Sequence, residues 1–159
     1  MTTEKLKFKL ELWAEYWDKK PIANILINNH SHYNQEITGT EKQPTVIEFE
    51  HELTEGEKYS LIIERSGKDI RQTVVDDGKI TKDQLIHIKS IEIDEIDIGA
   101  LVYEGVYTPI YPEPWATQQK QAGNTLPESF KNVTTIGHNG RWELGFTSPF
   151  YMWLLENLY

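Results

Sequence analysis

In KLKFKLELWAEYW, residues 5–17, polar and apolar side chains alternate cleanly, and this pattern is the strongest indication of the fold. Successive side chains of a β-strand point to opposite faces, so this alternation predicts a strand with one face in the core. The predicted core face carries Leu6, Phe8, Leu10, Leu12, Ala14 and Tyr16. The other face carries charged residues together with Trp13 and Trp17. An indole on a solvent-facing surface requires a second protein layer, a partner chain or a flat ligand such as a sugar ring.

Further short strands follow, separated by turns that contain Gly, Asn, Asp or Pro. We predict these strands at residues 22–28, 33–39, 45–53, 59–65, 85–93 and 141–147. Short strands at this spacing are typical of an all-β, jelly-roll-like antiparallel β-sandwich. Ser148 and Pro149 then predict the start of a short C-terminal helix, with the serine as its cap. The helix is apolar nearly all round, so we expect it to be buried on the sandwich or against a neighbour.

We expect residues 1–159 to form a single β-sandwich domain. Three prolines in TPIYPEPW, residues 108–115, predict an extended and non-helical segment. The polar residues 116–131 that follow are expected to run over the surface. The predicted parts of the domain are core strands at about residues 5–105, an extended proline-rich excursion at 106–135, and a final strand and helix at 136–159.

Composition excludes several classes of protein. A net charge of −9 argues against a nucleic-acid partner, because phosphate contacts require a basic surface. No stretch approaches the ~20 apolar residues of a membrane-spanning helix, and MTTEKLKFKL lacks the apolar core of a signal peptide. Without cysteine there is no disulfide and no thiolate metal site. We therefore expect a chain in the cytoplasm, one in a particle assembled there, or one trimmed of its leader, and no membrane insertion.

No recognisable catalytic constellation is present, so we predict that the chain is not an enzyme. The Gly-x-Ser-x-Gly elbow, the P-loop, the dinucleotide glycine fingerprint and the His-Glu-x-x-His helix are all missing from the sequence. His30 and His32 could supply two metal ligands, but nothing supplies the others at a recognisable spacing, so a polar pair is favoured. His51 and His87 are expected in or beside the core, and His138 in a turn.

The aromatic residues indicate ligand binding more strongly. Indole and phenol rings stack on the apolar C–H faces of sugars, and neighbouring polar groups complete recognition. We predict ligand-binding roles for Trp13, Trp17, Tyr111 and Trp115. The alternative is that residues 101–135 fold over Trp13 and Trp17 and bury both in a second small core.

Acidic residues beside turns suggest a calcium site. Oxygen-rich loops at the ends of sheets are where calcium binds. We take Asp76, Asp77 and Asp83 as the candidate ligands. However, VDDGK, residues 75–79, lacks the further donors and the downstream glutamate of an EF-hand. Ordinary solvated loop charge therefore remains the default interpretation.

The region from about residue 8 to 98 resembles calcium-dependent, xylan-binding carbohydrate-binding modules with a jelly-roll fold. The resemblance rests on FKLELWAEY, IANILINNH, TVIEFEHELTEGEKYSLIIE and DQLIHIKSIEIDEIDIG. It implies a β-sandwich that binds a polysaccharide, with calcium-binding acids in the loop before the last of these strands. Asp83 occupies a comparable place. The resemblance also implies an Asn-Asp pair where this chain has Ser66-Gly67-Lys68.

The segments YTPIYPEPW and GHNGRWELGFTSPFYMWLLENLY are similar to parts of uncharacterised small proteins of marine bacteriophages. This second resemblance implies a virion or tail-associated protein. Three functions follow, in order. The first is a non-catalytic module that binds a polysaccharide or surface glycan, with or without calcium. The second is a structural interaction protein whose partners are virion subunits or further copies of the chain. A glycan-active enzyme ranks third.

Overall fold

The computed structural model describes residues 2–158, so Met1 and Tyr159 at the ends of the predicted domain and tail helix lie outside the described residues. Most of the described chain is strand. In chain order the strands are β1 (Thr3–Glu15), β2 (Ile22–Ile27), β3 (His30–Glu36), β4 (Thr45–Thr54), β5 (Lys58–Ser66), β6 (Val74–Asp76), β7 (Lys79–Lys82), β8 (Leu85–Ile93), β9 (Ile96–Asp97), β10 (Val106–Pro109), β11 (Phe130–Lys131), β12 (Thr135–Ile136) and β13 (Gly140–Thr147). The helices are α1 (Trp115–Gln121), α2 (Phe150–Leu158) and two 3-10 segments, Ile70–Gln72 and Gly99–Glu104.

The strands form two large antiparallel sheets that pack face to face. The first sheet has the order β12-β8-β1-β4, with β9 paired to β8, and the second has the order β11-β10-β13-β5-β2-β3. Strands β6 and β7 form a separate two-stranded hairpin. Phe8 of β1 and Phe146 of β13 meet across the core with ring centroids 6.2 Å apart. The predicted jelly-roll-like β-sandwich with a short C-terminal helix is therefore confirmed.

Strand β1 lies inside the first sheet, between β4 and β8, and its side chains alternate as predicted. The residues at 6, 8, 10, 12 and 14 are all buried in the core shared by both sheets. Tyr16 differs from the prediction, because the strand ends at Glu15 and the Tyr16 ring is exposed. After Ile93 the apolar residues change from odd to even positions, because Ile93 pairs with Ile96 across a tight turn in which Asp94 and Glu95 adopt positive φ.

The proline-rich part of the chain contains more regular structure than its sequence indicates. Strand β10 pairs with β13 inside the second sheet, so the excursion predicted to begin at residue 106 leaves the sandwich only after Pro109. Residues 115–121 form α1 instead of irregular surface chain. The carboxylate of Glu113 accepts a hydrogen bond from the Thr117 amide at 3.1 Å and stabilises the first turn. Only Ala116 of this helix is buried, so its sequence shows no apolar stripe.

The C-terminal helix α2 packs against β13 through Phe150, Trp153 and Leu154, which are buried. The predicted serine cap works differently in the structure. Ser148 donates its hydroxyl to the Glu4 carboxylate, and the same oxygen of Glu4 accepts a hydrogen bond from the Phe150 amide at 2.8 Å. A side chain from β1 therefore takes the capping role and fixes the helix to the first sheet.

Within residues 2–158, no helix combines the length and apolar character that crossing a membrane requires.

Candidate functional site

A cleft of about 510 Å³ opens at one end of the sandwich. Its lining comes from five segments: the loop that follows β5, the β6–β7 hairpin, Asp83 between β7 and β8, the chain after β10 and the connection between β12 and β13. Strand pairing brings these segments together, because the end of β5 and the end of β10 both lie beside Gly140 at the start of β13. The volume lies in the range of small-ligand pockets.

One wall of the cleft is aromatic and contains Tyr111, Trp115 and His138. The centroids of Tyr111 and Trp115 are 6.0 Å apart, and the His138 ring lies 5.2 Å from Tyr111 and 5.9 Å from Trp115. The hydroxyl of Tyr111 donates to the Pro127 carbonyl at 2.5 Å, which fixes the orientation of its ring. The three rings form a preformed surface whose outer faces border open space.

Four aliphatic residues of the cleft lining are exposed. Ile70, Val75, Ile80 and Ile110 all line the cleft. Ile80 is 63% exposed and Ile110 69% exposed, so neither contributes to the core of the free protein. Exposed aliphatic side chains are ordinary when scattered, but a group that lines one cavity marks a binding surface.

The floor of the cleft holds a paired cation. The ammonium of Lys68 donates to Asp83 Oδ1 at 2.8 Å and to the Gly137 carbonyl at 2.5 Å. The same carboxylate oxygen accepts hydrogen bonds from the Thr73 hydroxyl and from the Gln84 amide. Burial acts to raise the pKa of Asp83, but these hydrogen bonds and the Lys68 charge outweigh it and lower the pKa below its usual value. Burial lowers the pKa of Lys68, while the hydrogen bond and the charge of Asp83 act to raise it. The two opposite charges of this ion pair offset each other.

A second buried cation supports this floor from below. Arg65, only 2% exposed, donates from Nη1 to the Ile136 carbonyl at 2.6 Å and from Nη2 to both oxygens of Gln84. Burial lowers the pKa of Arg65 to about 10, which leaves it protonated at neutral pH. These bonds join β5 of the second sheet to the β8 and β12 region of the first sheet.

His138 is oriented through its backbone. Its carbonyl accepts a hydrogen bond from the Tyr107 hydroxyl at 2.7 Å, and its amide donates to the same hydroxyl at 2.8 Å. Burial lowers the pKa of the His138 imidazole, and the nearby charges of Lys68 and Arg65 lower it further. The ring that faces the cleft is therefore neutral at neutral pH.

The predicted stacking residues lie in two places. Tyr111 and Trp115 both line the cleft, whereas Trp13 and Trp17 do not. Trp13 lies on the outer face of the first sheet, half-buried, and stacks on its cross-strand neighbour His87 at 3.9 Å. Trp17 is 45% exposed, and its indole N–H donates to the Gln72 carbonyl at 2.9 Å. Residues 101–135 therefore do not bury these two indoles in a second core, contrary to the alternative raised from the sequence.

The predicted calcium ligands do not converge. Asp76 and Asp77 lie exposed at the tip of the β6–β7 hairpin, whereas Asp83 lies at the cleft floor with Lys68 on one of its oxygens. Among residues 2–158, no group of three or more His, Cys, Asp or Glu side chains is arranged to hold a metal ion. Calcium requires six to eight oxygen ligands, and an ammonium bound to the carboxylate competes for that position. These residues as arranged do not fit a calcium ion.

The remaining histidines have structural contacts. His30 and His32 of β3 meet His51 of β4, and His32 Nε2 shares a hydrogen bond of 2.8 Å with His51 Nδ1. We call these three residues the histidine cluster. The two nitrogens are bonded to each other, so neither is directed at a common metal position. His87, expected in or beside the core, lies on the outer face of the first sheet and forms hydrogen bonds with Glu15 and Thr135.

The sequence did not identify His138 or the four aliphatic residues as parts of a site. His138 lies in a Gly-His-Asn-Gly turn, and the aliphatic residues are spread over segments from residue 70 to residue 110. One signal was available in principle. Val75 and Ile80 flank the turn of a short polar hairpin, where apolar side chains have no core to enter.

No protein-family model and no curated protein matches the sequence. One solved structure with a similar course of the chain is the selenomethionine form of vCBM60, from work on a circular permutation that links two families of calcium-dependent carbohydrate-binding modules. The two chains share 9% identity with a TM-score of 0.46, and the match covers 88% of this chain and 90% of the other. This likeness concerns the fold, and it says nothing about which residues of this chain bind a ligand.

Proposed function

We propose that this chain is a non-catalytic glycan-binding module and that the cleft is its binding site. The observation that carries the proposal is the aromatic wall, where Tyr111, Trp115 and His138 face a cavity large enough for a small ligand. Rigid aromatic rings beside open space are the feature that sugar rings require for stacking. No catalytic residue is needed for this function.

The wall is organised before any ligand arrives. The Tyr111 hydroxyl bonds Pro127, and the two hydrogen bonds of Tyr107 hold the backbone of His138. A binding surface whose rings are already fixed loses less conformational entropy when the ligand binds. Affinity should therefore depend strongly on the rings themselves.

Trp13 and Trp17 give the same function a second candidate surface, outside the cleft. Lys82 lies 4.6 Å above the Trp17 ring, and the Trp17 N–H already bonds Gln72, so one face and one edge of this indole are engaged. Trp13 has one face covered by His87. We rank this surface below the cleft, because one face of each indole is already covered and neither ring lines the cleft.

The test measures how two tryptophan variants bind a panel of soluble polysaccharides, by affinity gel electrophoresis. Trp115→Ala removes a ring of the cleft, whereas Trp17→Ala removes an exposed ring outside it. We expect the parent chain to be retarded by at least one glycan, Trp115→Ala to weaken that binding at least about tenfold, and Trp17→Ala to leave it nearly unchanged.

The outcomes separate the alternatives. Loss of binding in Trp17→Ala alone would move the site to the outer surface of the first sheet. A parent chain that no glycan retards would overturn the proposed function. Circular dichroism of both variants checks that neither loses its fold.

Calcium assistance through Asp76, Asp77 and Asp83 is not expected from the arrangement of these residues. It requires Lys68 to leave Asp83 or the hairpin acids to approach the floor. The response of the melting temperature to calcium and to a chelator decides it.

A structural interaction protein is the second candidate function, and one observation favours it. Four apolar or aromatic side chains of α2 are exposed, namely Tyr151, Met152, Leu155 and Leu158, and the Tyr151 hydroxyl donates to Asp94 at 2.9 Å. Such a patch suits a contact with another copy of the chain or another subunit. Nothing in this patch favours a virion over any other assembly.

This second function predicts an oligomer in solution. Met152→Ser with Leu155→Ser should convert it to a monomer without loss of fold, because both side chains lie outside the core. Light scattering after size exclusion measures the mass. A parent chain that is monomeric at high concentration would count against this candidate.

A further inference from the structure

We infer that the ligand of the cleft is a neutral glycan that carries short apolar substituents, such as O-methyl or O-acetyl groups. This inference rests on the proposed glycan-binding function and adds the chemical class of the ligand. It follows from two features of the cleft besides its aromatic wall, namely its aliphatic walls and the pairing of its charges.

The aliphatic walls exclude a fully hydroxylated ligand as the best fit. Ile70, Val75, Ile80 and Ile110 have no hydrogen-bonding groups in their side chains, and all four line the cleft. A sugar hydroxyl pressed against them loses its water without gaining a partner, which is unfavourable. A methyl or acetyl group in the same position gains from burial. A glycan can stack one ring face on the aromatic wall and place its apolar substituents against the aliphatic residues. It then makes favourable contacts with both kinds of lining.

The charges of the cleft indicate that the ligand is neutral. Lys68 is paired with Asp83 at 2.8 Å, and its side chain is only 8% exposed. Asp69 is paired with Lys19 at 3.1 Å and with Arg71 at 3.4 Å. Hydrogen bonds from Arg71 and Lys19 lower the pKa of Asp69 to about 2, so it stays ionised and paired.

The two ionisable groups of the aromatic wall are neutral at neutral pH, because burial lowers the pKa of His138 and raises that of Tyr111. A uronate, sulfate or phosphate on the ligand would find no available cation among these residues. An amino sugar would find no available carboxylate. Charged glycans would therefore lose hydration at the cleft without an ionic contact in return.

The experiment uses pairs of probes that share a backbone and differ in their substituents. The first pair is methylcellulose and hydroxyethylcellulose, which are both neutral and soluble. The second pair is native O-acetylated glucomannan and the same sample after mild alkaline removal of its acetyl groups. Affinity gels give an apparent Kd for each probe. We expect the methylated or acetylated member of a pair to bind at least about tenfold more tightly, the size of effect that small apolar groups have in a complementary pocket.

Two matched variants assign the preference to the aliphatic walls. Val75→Thr replaces a methyl group of the cleft with a hydroxyl of similar shape. Val46→Thr makes the same change on β4, where the valine is also exposed but does not line the cleft. We expect Val75→Thr to reduce the preference for the apolar member about 3- to 10-fold and Val46→Thr to leave it unchanged.

The outcomes distinguish this inference from the function on which it rests. If both members of each pair bind equally, the glycan-binding function stands and the inference about substituents is overturned. The inference is also overturned if a hydroxylated or charged glycan of the panel binds more tightly than its methylated or acetylated form. If no glycan of any kind binds, both proposals fail together.

Discussion

The cleft and the histidine cluster lie at opposite ends of the sandwich, and both gather aromatic rings from separate elements. In the histidine cluster, His32 stacks on Phe49 at 4.3 Å and hydrogen-bonds to His51, so the rings satisfy one another. In the cleft, Tyr111 and Trp115 keep faces toward a cavity. Rings that stack on and hydrogen-bond to each other hold strands together, whereas rings that border a cavity can still contact a ligand. The difference separates a structural aromatic cluster from a candidate binding surface.

The two regions also differ in how they join the sheets. The histidine cluster bridges two edge strands, β3 of the second sheet and β4 of the first sheet, through imidazoles without permanent charge. At the cleft end the sheets are joined by Arg65, a buried cation with backbone carbonyls as acceptors. We therefore expect substitution of Arg65 to destabilise the cleft end strongly, and acid to destabilise the end that holds the histidine cluster.

The largest expected effect comes from Arg65→Met. The change leaves the carbonyls of Ile136 and Gln84 without their donor in a buried region, and we expect a loss of about 3–5 kcal/mol in the free energy of unfolding. Arg141→Met is the matched control. It removes a half-exposed arginine whose ion pairs are 3.8 and 4.0 Å long, and we expect a change below about 0.5 kcal/mol.

Urea unfolding of both variants measures these differences. Equal losses for the two arginines would contradict the structural role of Arg65. The loss of glycan binding in Arg65→Met, at a temperature where it is still folded, would further show that the floor positions the walls.

Much of the sandwich was predictable from the sequence, and the reason lies in strand periodicity. The alternation in residues 5–17 placed Leu6 to Ala14 in the core, and the structure confirms it. Strand β8 begins at Leu85 and ends at Ile93, as predicted. A period of two is a local property, so one sequence suffices to read it. Helix α1 was missed because a short polar helix with one buried residue has no such period.

The candidate site was only half predictable. Tyr111 and Trp115 were predicted because indole and phenol rings stack on the apolar faces of sugars. His138 and Ile80 reach the same cleft from other segments, and only the pairing of β10, β13 and β5 brings these segments together. The ion pair between Lys68 and Asp83 could not be predicted either, because the two residues are 15 positions apart and the chain between them is an irregular loop and a hairpin. Contacts of this kind depend on loop conformation, which a single sequence does not encode locally.

The second-largest expected effect, after that of Arg65→Met, is a loss of stability in acid that arises from the histidine cluster. Burial and the neighbouring charges of His51 and His30 lower the pKa of His32 to about 4, and burial and His30 lower that of His51. An unfolded chain takes up protons on histidine below about pH 6.5, whereas the folded chain resists until near pH 4. The stability contribution is therefore complete above pH 6.5 and declines as the pH falls toward 4.

We expect this decline to amount to about 1–3 kcal/mol, because one pKa unit corresponds to about 1.4 kcal/mol and partial exposure reduces the effect. Urea unfolding at a series of pH values measures it. His32→Asn should flatten the pH dependence, and His138→Asn, the corresponding change in the cleft, shows how much the other end contributes. A parent chain with constant stability between pH 6.5 and 4 would contradict the assignment.

A third and smaller effect tests the cleft through Tyr107→Phe. The hydroxyl of Tyr107 both donates to and accepts from the backbone of His138, and burial raises its pKa to about 12, so it stays protonated. We expect a loss of about 1–2 kcal/mol in stability and weaker glycan binding, because two hydrogen bonds disappear inside a part-buried site. Tyr103→Phe is the control, since this tyrosine is exposed and lies outside the cleft. Similar losses from both changes would argue against the positioning role of Tyr107.

The smallest expected effect concerns calcium. A cation that binds only the folded chain raises its melting temperature, and a chelator reverses that gain. At the cleft floor the ammonium of Lys68 already lies on Asp83, with the Gly137 carbonyl as a further oxygen partner. We therefore expect addition of calcium or of a chelator to move the melting temperature by less than about 1 °C, which corresponds to a few tenths of a kcal/mol. A drop on chelation that is lost in Asp83→Asn but kept in Asp76→Asn would reverse this conclusion. It would mean that a metal ion replaces the ammonium of Lys68 at Asp83. The cleft end, unlike the histidine cluster, would then bind a cation from solution.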